Sequence, residues 1–471
     1  MPELLDKGLG TVAQIPNVTG RTCAVRNNWC SPADKKAEER ELYAGGYSPH
    51  EPLPEGPETA KAAIAINSPL MRGSTMKTRS IQYAAVAAVG MLLLSACGED
   101  SNSNNSAAVG SNGNIVVGSV NALSGAATFP EASKAAQAVF DQVNASGGIN
   151  GKKIDYVVTD DKGDPATAAQ SARDVVGSKN AVALVGSASL LDCDVNAKYY
   201  QENGILSIQG TGVDQACFSS PAVSPVNVGP FLDTEMTLTY GSETLKLDKI
   251  CGFLEIAGAT GPAYKAAIEN WKKKTGKDLV FLDDSVPYGS PDYTPQVIKA
   301  KNAGCKAVYI NATEPDGLGM LKAAEAQGFN DVTWLFLTST YTEQFAQAAG
   351  KVGNGVYVPA EFAPYTDENE AANKDWRELM TSKNIPLTSF AQGGYLAAKY
   401  FVEVLQGISG DITRAAVTKA LQEMKPISNP MVGTPYVFGP GSAHNSSTGV
   451  WPVKLQDGKW VKAADNWLLQ K

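Results

Sequence analysis

Histidine is almost missing from this chain. Of 471 residues only His50 and His444 are histidines. His444 sits in a Gly/Ser/Asn-rich loop, GPGSAHNSST, with no nucleophile motif beside it. A Ser-His-Asp triad would rest on that one side chain, so a plain surface role is expected for it. GxSxG, HExxH and GxGxxG are also missing, and Gly210-Thr211-Gly212 stops short of the last. No catalytic residue and no cofactor are therefore expected. Charge is sparse too. With 19% charged residues, a net charge of −8 and no basic run, nucleic acid is not expected as a partner. Asp160, Asp161 and Asp164 in DDKGDP lack the alternating ligands and closing bidentate Glu of a calcium loop. They read as a strand-to-helix turn held by side-chain hydrogen bonds, and no metal is expected.

Long apolar runs are confined to one place. In Met76–Cys97, MKTRSIQYAAVAAVGMLLLSAC, Lys77 and Arg79 give a cationic start and Ala84–Leu94 runs without a charge. That run is too short to span a bilayer as a helix but suits the h-region of an export signal. Leu94-Ser95-Ala96-Cys97 then resembles the lipobox of bacterial lipoproteins, in which the cysteine is acylated and becomes the new N-terminus. Residues 76–97 are accordingly expected as a lipoprotein signal with Cys97 as the lipidation site. Residues 1–75, with Pro49, Pro52, Pro54 and Pro57 and no sustained period, are expected as an upstream extension foreign to the working protein. The start is then Met76 or Met71. Residues 98–113, GEDSNSNNSAAVGSNG from Gly98, read as a flexible tether. No later run is long enough to cross a membrane, so an exported protein held to the membrane by lipid is expected.

From Ile115 the chain alternates short β-branched runs with amphipathic helices. Strands are expected at 115–120, 154–159, 182–186 and 206–209, with helices at 132–144, 165–176 and 195–203. A second series follows. It has helices at 231–246, 262–275, 294–303, 317–327 and 343–349, and strands at 250–256, 279–282, 307–311, 332–337 and 355–359. Three helical patterns come next, at 370–382, 390–406 and 414–424, before strand-like runs at 436–438, 450–455 and 460–462. Repeated βαβ units mean parallel sheets covered on both faces, an α/β class. Two series of this size suggest two similar lobes. In open parallel sheets, ligands sit beyond the carboxyl ends of the strands. The loops concerned are 122–129, 187–191 and 210–213 in the first series, and 257–261, 312–314 and 338–341 in the second. They offer Ser187, Ala188, Ser189, Leu190, Gly210, Thr211, Thr260, Thr313, Glu314 and Thr340 as polar or backbone contacts. Phe129 and Tyr341 are expected as apolar walls.

The segment from Gly118 to Ile154, through ALSGAATF and NASGGINGKKI, followed by Asp160-Asp161 and Pro165, resembles the opening of type I periplasmic binding proteins. It is most similar to the branched-chain amino-acid receptors that serve ABC importers, and the likeness runs over nearly all of 114–471. The resemblance implies two Rossmann-like lobes joined by three hinge crossings, near 228–233, 361–366 and 431–436. Lobe 1 would be 114–232 plus 363–433, and lobe 2 would be 233–362 plus 434–471. It implies a monomer that closes on a small molecule and hands it to an ABC permease, or a sensory receptor of the same fold. The expected ligand is a small polar metabolite: amino-acid-like, a carboxylate or an amide.

The resemblance also bears on four cysteines, Cys193, Cys217, Cys251 and Cys305. Three connectivities are open. Receptors of this kind often carry a bridge near the ligand loop, which would be Cys193–Cys217. Cys251–Cys305 would then give one bridge per lobe, or remain two buried thiols. In the resembling receptors the ligand's ammonium meets an acid from the second lobe, where this chain has Ser339 or Thr340. Leu190 and Val213 fall at first-lobe hydroxyl positions. A ligand without an amine is the resulting expectation, with Glu314 as the acid that would rescue an amino acid if its loop turns inward.

Overall fold

The computed structural model describes residues 113–470, apart from 126, 257, 288, 443, 445 and 446. The expected export signal, Cys97, residues 1–75 and nearly all of the tether lie outside the described residues.

The first sheet is built from β1 (Ile115–Asn121), β2 (Ile154–Asp160), β3 (Ala183–Ala188), β4 (Ser207–Thr211) and β5 (Val223–Pro225), in the order β2-β1-β3-β4-β5. Every pairing is parallel. β1, β3 and β4 are buried at every residue, so both faces are covered and the strands read as continuous apolar runs. The crossovers are α1 (Pro130–Ala145), α2 (Pro165–Arg173), α3 (Asp192–Glu202) and the short α4 (Gln215–Ser219). α2 runs on into a π-turn at Asp174–Ser178, which is why the apolar pattern continues past Arg173.

The second sheet begins after α5 (Pro230–Thr239). It contains β6 (Ile250–Glu255), β7 (Leu282–Val286), β8 (Ala307–Ile310), β9 (Thr333–Leu335) and β10 (Val356–Ala360), linked by α6 (Gly261–Thr275), α7 (Thr294–Asn302), α8 (Glu314–Ala326) and α9 (Glu343–Ala349). The parallel order β7-β6-β8-β9-β10 matches the first sheet's winding. The chain then returns to the first sheet with α10 (Lys374–Ser382), α11 (Ser389–Gln406) and α12 (Arg414–Gln422). Thr388 caps α11 by accepting from the Ala391 N–H. α11 is buried along almost its whole length because Gly393 and Gly394 bring it into backbone contact with Gly210 of β4 and Ala132 of α1. Finally β11 (Gly449–Gln456), β12 (Lys459–Lys462) and β13 (Leu468–Leu469) add antiparallel strands beside β10.

The main differences from the expectation concern β7 and the segment that includes Tyr436. β7 lies at 282–286, not 279–282. Leu279 belongs to the core, but the pairing residues are the half-solvated Leu-Asp-Asp-Ser-Val of an edge strand, which an apolar criterion passes over. Residues 436–438 form no strand. Tyr436 makes one antiparallel bridge to Ile427, and Pro435 and Gly439 flank it. This segment also lies on the first body. Tyr436 stacks on Tyr400 at 4.6 Å, and the Gly439 N–H donates to the Leu421 carbonyl. The chain reaches the second sheet only after His444, whose Nε2 is 3.2 Å from the Pro221 carbonyl oxygen; the Thr448 N–H then bonds Thr434 Oγ1.

Two intra-body disulfides are present, Cys193–Cys217 in the first and Cys251–Cys305 in the second. Where the chain passes between bodies, Glu361 Oε1 accepts from Asn227 Nδ2 (2.9 Å) and the Gly229 N–H (2.7 Å), and the Ala363 N–H donates to the Met431 carbonyl (2.8 Å). Among the described residues no helix is long and apolar enough to cross a membrane.

Candidate functional site

The carboxyl ends of β1, β3 and β4 meet the start of α11 on the first body. Asp160 organises the loop after β1. Its carboxylate accepts from the N–H groups of Leu123 (3.0 Å) and Ser124 (3.2 Å), the Ser124 hydroxyl (2.6 Å) and the Lys162 N–H (3.0 Å). Burial opposes the charge, but these donors outweigh it and hold Asp160 below the ordinary carboxylate range. DDKGDP thus works as the turn its spacing suggests, with Asp164 capping α2 at the Thr167 N–H. The loop ends at Phe129, whose ring lies 4.6 Å from that of Phe390 in the first turn of α11. Both are half-buried, so an apolar surface borders the loop.

The other first-body candidates point less freely outward. Gly186 has a φ of +76°, and the β3–β4 register shifts on either side of Ser187. This bulge sends the Ser187 hydroxyl to the Val120 N–H at 3.1 Å. Ala188 is buried, its N–H bonded to Asn121 Oδ1. The buried Ser189 hydroxyl donates to Asp161 and accepts from the N–H groups of Leu191 and Asp192. Leu190 is half-buried at the tip, and Thr211 is buried beside Gly393. Gly210 is where α11 touches β4, and a Cβ there would sit 3.0 Å from the Gly394 nitrogen. The Asp192 carboxylate is buried and accepts from Tyr200, Asn196 and Gln209, and burial pushes it up. Asp214, beside the disulfide, is pushed up to about 7 by burial.

On the second body Thr260 and Thr313 sit at the N-caps of α6 and α8, both half-buried. The Thr313 hydroxyl donates to Asp316. Thr340 is buried and donates to the Leu337 carbonyl, while the Ser339 hydroxyl donates to the Ala312 carbonyl. Tyr341, expected as an apolar wall of the site, is buried. Its ring is packed against Tyr365 (4.7 Å) and Trp460 (5.4 Å), and its hydroxyl is 2.9 Å from Thr366 Oγ1. A residue in the loop after β9 is easily mistaken for a rim residue when Trp460 of β12, which covers it, comes more than a hundred residues later.

Glu314 opens α8 and is half-buried. Burial raises its pKa, the Thr342 hydroxyl lowers it, and the charge of Glu131, in the first turn of α1, raises it again. Glu131 belongs to the first body and Glu314 to the second, so the charge of one lobe is felt at the strand end of the other. A second acidic group went unanticipated. Glu255 closes β6, and its Oε1 lies 2.6 Å from the Tyr293 hydroxyl, which is also 2.7 Å from Asp316 Oδ1. Burial pushes Glu255 up to about 8, opposed by Tyr293 and reinforced by Asp316. A lone acid ending the otherwise apolar run ICGFLE was the available signal; nothing local marks Tyr293.

These elements form two parallel-sheet bodies, joined by three chain passages, whose strand ends carry helix N-termini and small polar loops. That is the class of bilobal binding proteins. Residues 114–459 match the family model described as periplasmic binding protein, and the chain belongs to that family. Among curated relatives, the "Leu/Ile/Val-binding protein homolog 3" of Brucella melitensis is 27% identical, covering 74% of this chain and 93% of its own. BraC3, a Leu/Ile/Val-binding protein of Rhizobium johnstonii, is 24% identical over 66% of this chain and 84% of its own. Among solved structures, the branched-chain amino-acid substrate-binding protein LivJ of Streptococcus pneumoniae, in complex with isoleucine, superposes with a TM-score of 0.65 at 17% identity, covering 76% of this chain and 99% of that one. A fatty acid ABC transporter substrate-binding protein from Thermomonospora curvata gives 0.64 at 19% identity (76% and 93% covered). A solute-binding protein from R. palustris in complex with 4-hydroxybenzoate gives 0.63 at 18% identity (76% and 97%). The type I binding-protein fold expected from the sequence is the fold observed.

Proposed function

We propose that the chain is an exported, lipid-anchored substrate-binding protein that delivers a small carboxylate-bearing metabolite to an ABC permease, working as a monomer without catalysis. Lobe 1, 114–232 plus 363–433, and lobe 2, 233–362 with the C-terminal strands, close about the three passages, and a ligand that touches both lobes shifts the equilibrium to the shut form. The reading is supported by the two sets of strand ends, with Phe129 and Phe390 beside one and Glu314 at the helix that follows a strand of the other. The small polar loops at 122–129 and 187–191 suit a carboxylate through groups other than the Leu123, Ser124, Ala188 and Leu191 N–H, which are bonded within the body, and the two phenylalanine rings suit an apolar remainder. Isoleucine, fatty acids and 4-hydroxybenzoate, named for the three structural neighbours, share a carboxylate and differ in the amine.

Ser339 and Thr340 both spend their hydroxyls on backbone carbonyls, which leaves Glu314 as the group that would answer an ammonium. A thermal-shift screen of small metabolites tests the function. A ligand at a hundred times its dissociation constant adds about 2.7 kcal/mol, a rise of several degrees. Carboxylates should give that rise. Chemical turnover of a bound compound would overturn the assignment.

A further inference from the structure

The Tyr293 hydroxyl lies within hydrogen-bond distance of two carboxyl oxygens, Glu255 Oε1 at 2.6 Å and Asp316 Oδ1 at 2.7 Å. A tyrosine has one proton to donate. Two such short contacts between oxygens therefore need a second proton, carried by one of the acids. Asp316 has the partners of a charged group. It sits in the first turn of α8, where the helix dipole favours negative charge, and it also accepts from the Thr313 hydroxyl. Glu255 is 2% exposed, and its second oxygen, Oε2, is buried with no partner. A buried carboxylate with an unsatisfied oxygen is far costlier than the neutral acid. The proton belongs on Glu255, which donates to Tyr293, which donates to Asp316. The Tyr293 ring fits this line closely, since a Cβ on Gly319 of α8 would come within 2.8 Å of its Cδ2.

We infer that Glu255 is a positioning residue whose proton locks the N-terminal turn of α8, and with it Glu314, into the cleft. This rests on the reading of that turn as part of the ligand site. When the proton leaves, Glu255 and Asp316 compete for one hydroxyl with two negative charges, and the turn that holds Glu314 loosens. The order of this turn is then proton-linked and is lost on the alkaline side of neutral. Other charges are engaged elsewhere. Asp283 and Asp284 of β7 pair with Lys299 and Lys265, and the side chain of Asn311, just after β8, accepts from the Glu255 N–H and donates to the Glu255 carbonyl without touching its carboxyl. The titratable groups acting on Glu255 are thus Tyr293 and Asp316.

The test uses the full chain without ligand. Amide hydrogen exchange of residues 314–319, corrected for intrinsic rates, is followed from pH 6 to pH 9 in the wild type, Glu255→Gln and Tyr293→Phe. Glutamine keeps a donor toward Tyr293 and cannot ionise. Protection in the wild type should fall at least several-fold across the range, stay flat in Glu255→Gln, and be low throughout in Tyr293→Phe. The same pH-dependent loss in Glu255→Gln as in the wild type overturns the lock. Unchanged protection in Tyr293→Phe does so as well. A lock present in a protein that binds no carboxylate would fault the ligand reading and leave the lock standing.

Discussion

Cutting the two disulfides separately gives a quantitative check on the two-body architecture. Cys193 and Cys217 are 24 residues apart in sequence and Cys251 and Cys305 are 54 apart, and all four are buried. In the chain-entropy treatment, loops of these lengths stabilise by about 3.5 and about 4.2 kcal/mol respectively. The bridges lie in different bodies, so removing both should cost the sum, about 7–8 kcal/mol. The substitution of choice is the Cys→Ala pair, since a serine would bury an extra hydroxyl. Urea unfolding of the two double-alanine variants and the quadruple variant reads the loss directly, with non-reducing peptide mapping to verify the pairing in the parent. Neither variant should lose the hinge, because neither bridge crosses it. Free thiols in the exported protein, or variants within half a kcal/mol of the parent, would refute the reasoning. So would a quadruple variant much less destabilised than the sum.

Other consequences are simpler. Gly394→Ala would drive a methyl into the Ala132 carbonyl where α11 meets α1, and should cost about 1–3 kcal/mol, seen as a fall in melting temperature of a few degrees or more. At the hinge, Asp233 and Glu361 are both buried, and burial raises both, with the Glu361 charge adding to Asp233. Folded-state values above unfolded ones mean that folding takes up protons, so the contribution of these groups is full below the ordinary carboxylate range and falls as pH rises from there to neutral. Glu361→Gln should flatten that slope in pH-dependent melting, and an unaltered slope would show that these groups are already ionised. Cys97→Ser should release the protein from membranes, since a lipid anchor contributes about 0.8 kcal/mol per buried methylene. Sedimentation with membranes after a salt wash would count against the anchor.

The βαβ rhythm made most of the first sheet legible, because β1, β3 and β4 are covered on both faces and their apolar runs are continuous. The same criterion misplaced β7, where an edge strand carries Asp283, Asp284 and Ser285. It also missed the short β5 and β13. Tyr436 looked like a strand residue because it is aromatic and flanked by valine, yet its place is set by stacking on Tyr400, a contact no local pattern encodes. The site was partly legible. Strand ends and helix N-caps could be located by counting, which put Glu314 and Phe129 at the rim. Orientation could not. Ser187 turns inward because of a single left-handed glycine, and Tyr341 is covered by Trp460 from the far end of the chain. Phe390 and Glu255 join the site only through tertiary packing.

Titration calorimetry against leucine, isoleucine, valine and amine-free carboxylates such as 4-hydroxybenzoate, with wild type and Glu314→Gln in parallel, tests whether the cleft takes a carboxylate. One-to-one binding of a carboxylate at micromolar or tighter affinity is predicted, with an amine-free compound favoured and little affected by Glu314→Gln. Micromolar binding of leucine, isoleucine or valine that disappears in Glu314→Gln would contradict the amine-free preference. Binding of neutral amides or sugars, with no carboxylate bound, would contradict the account itself.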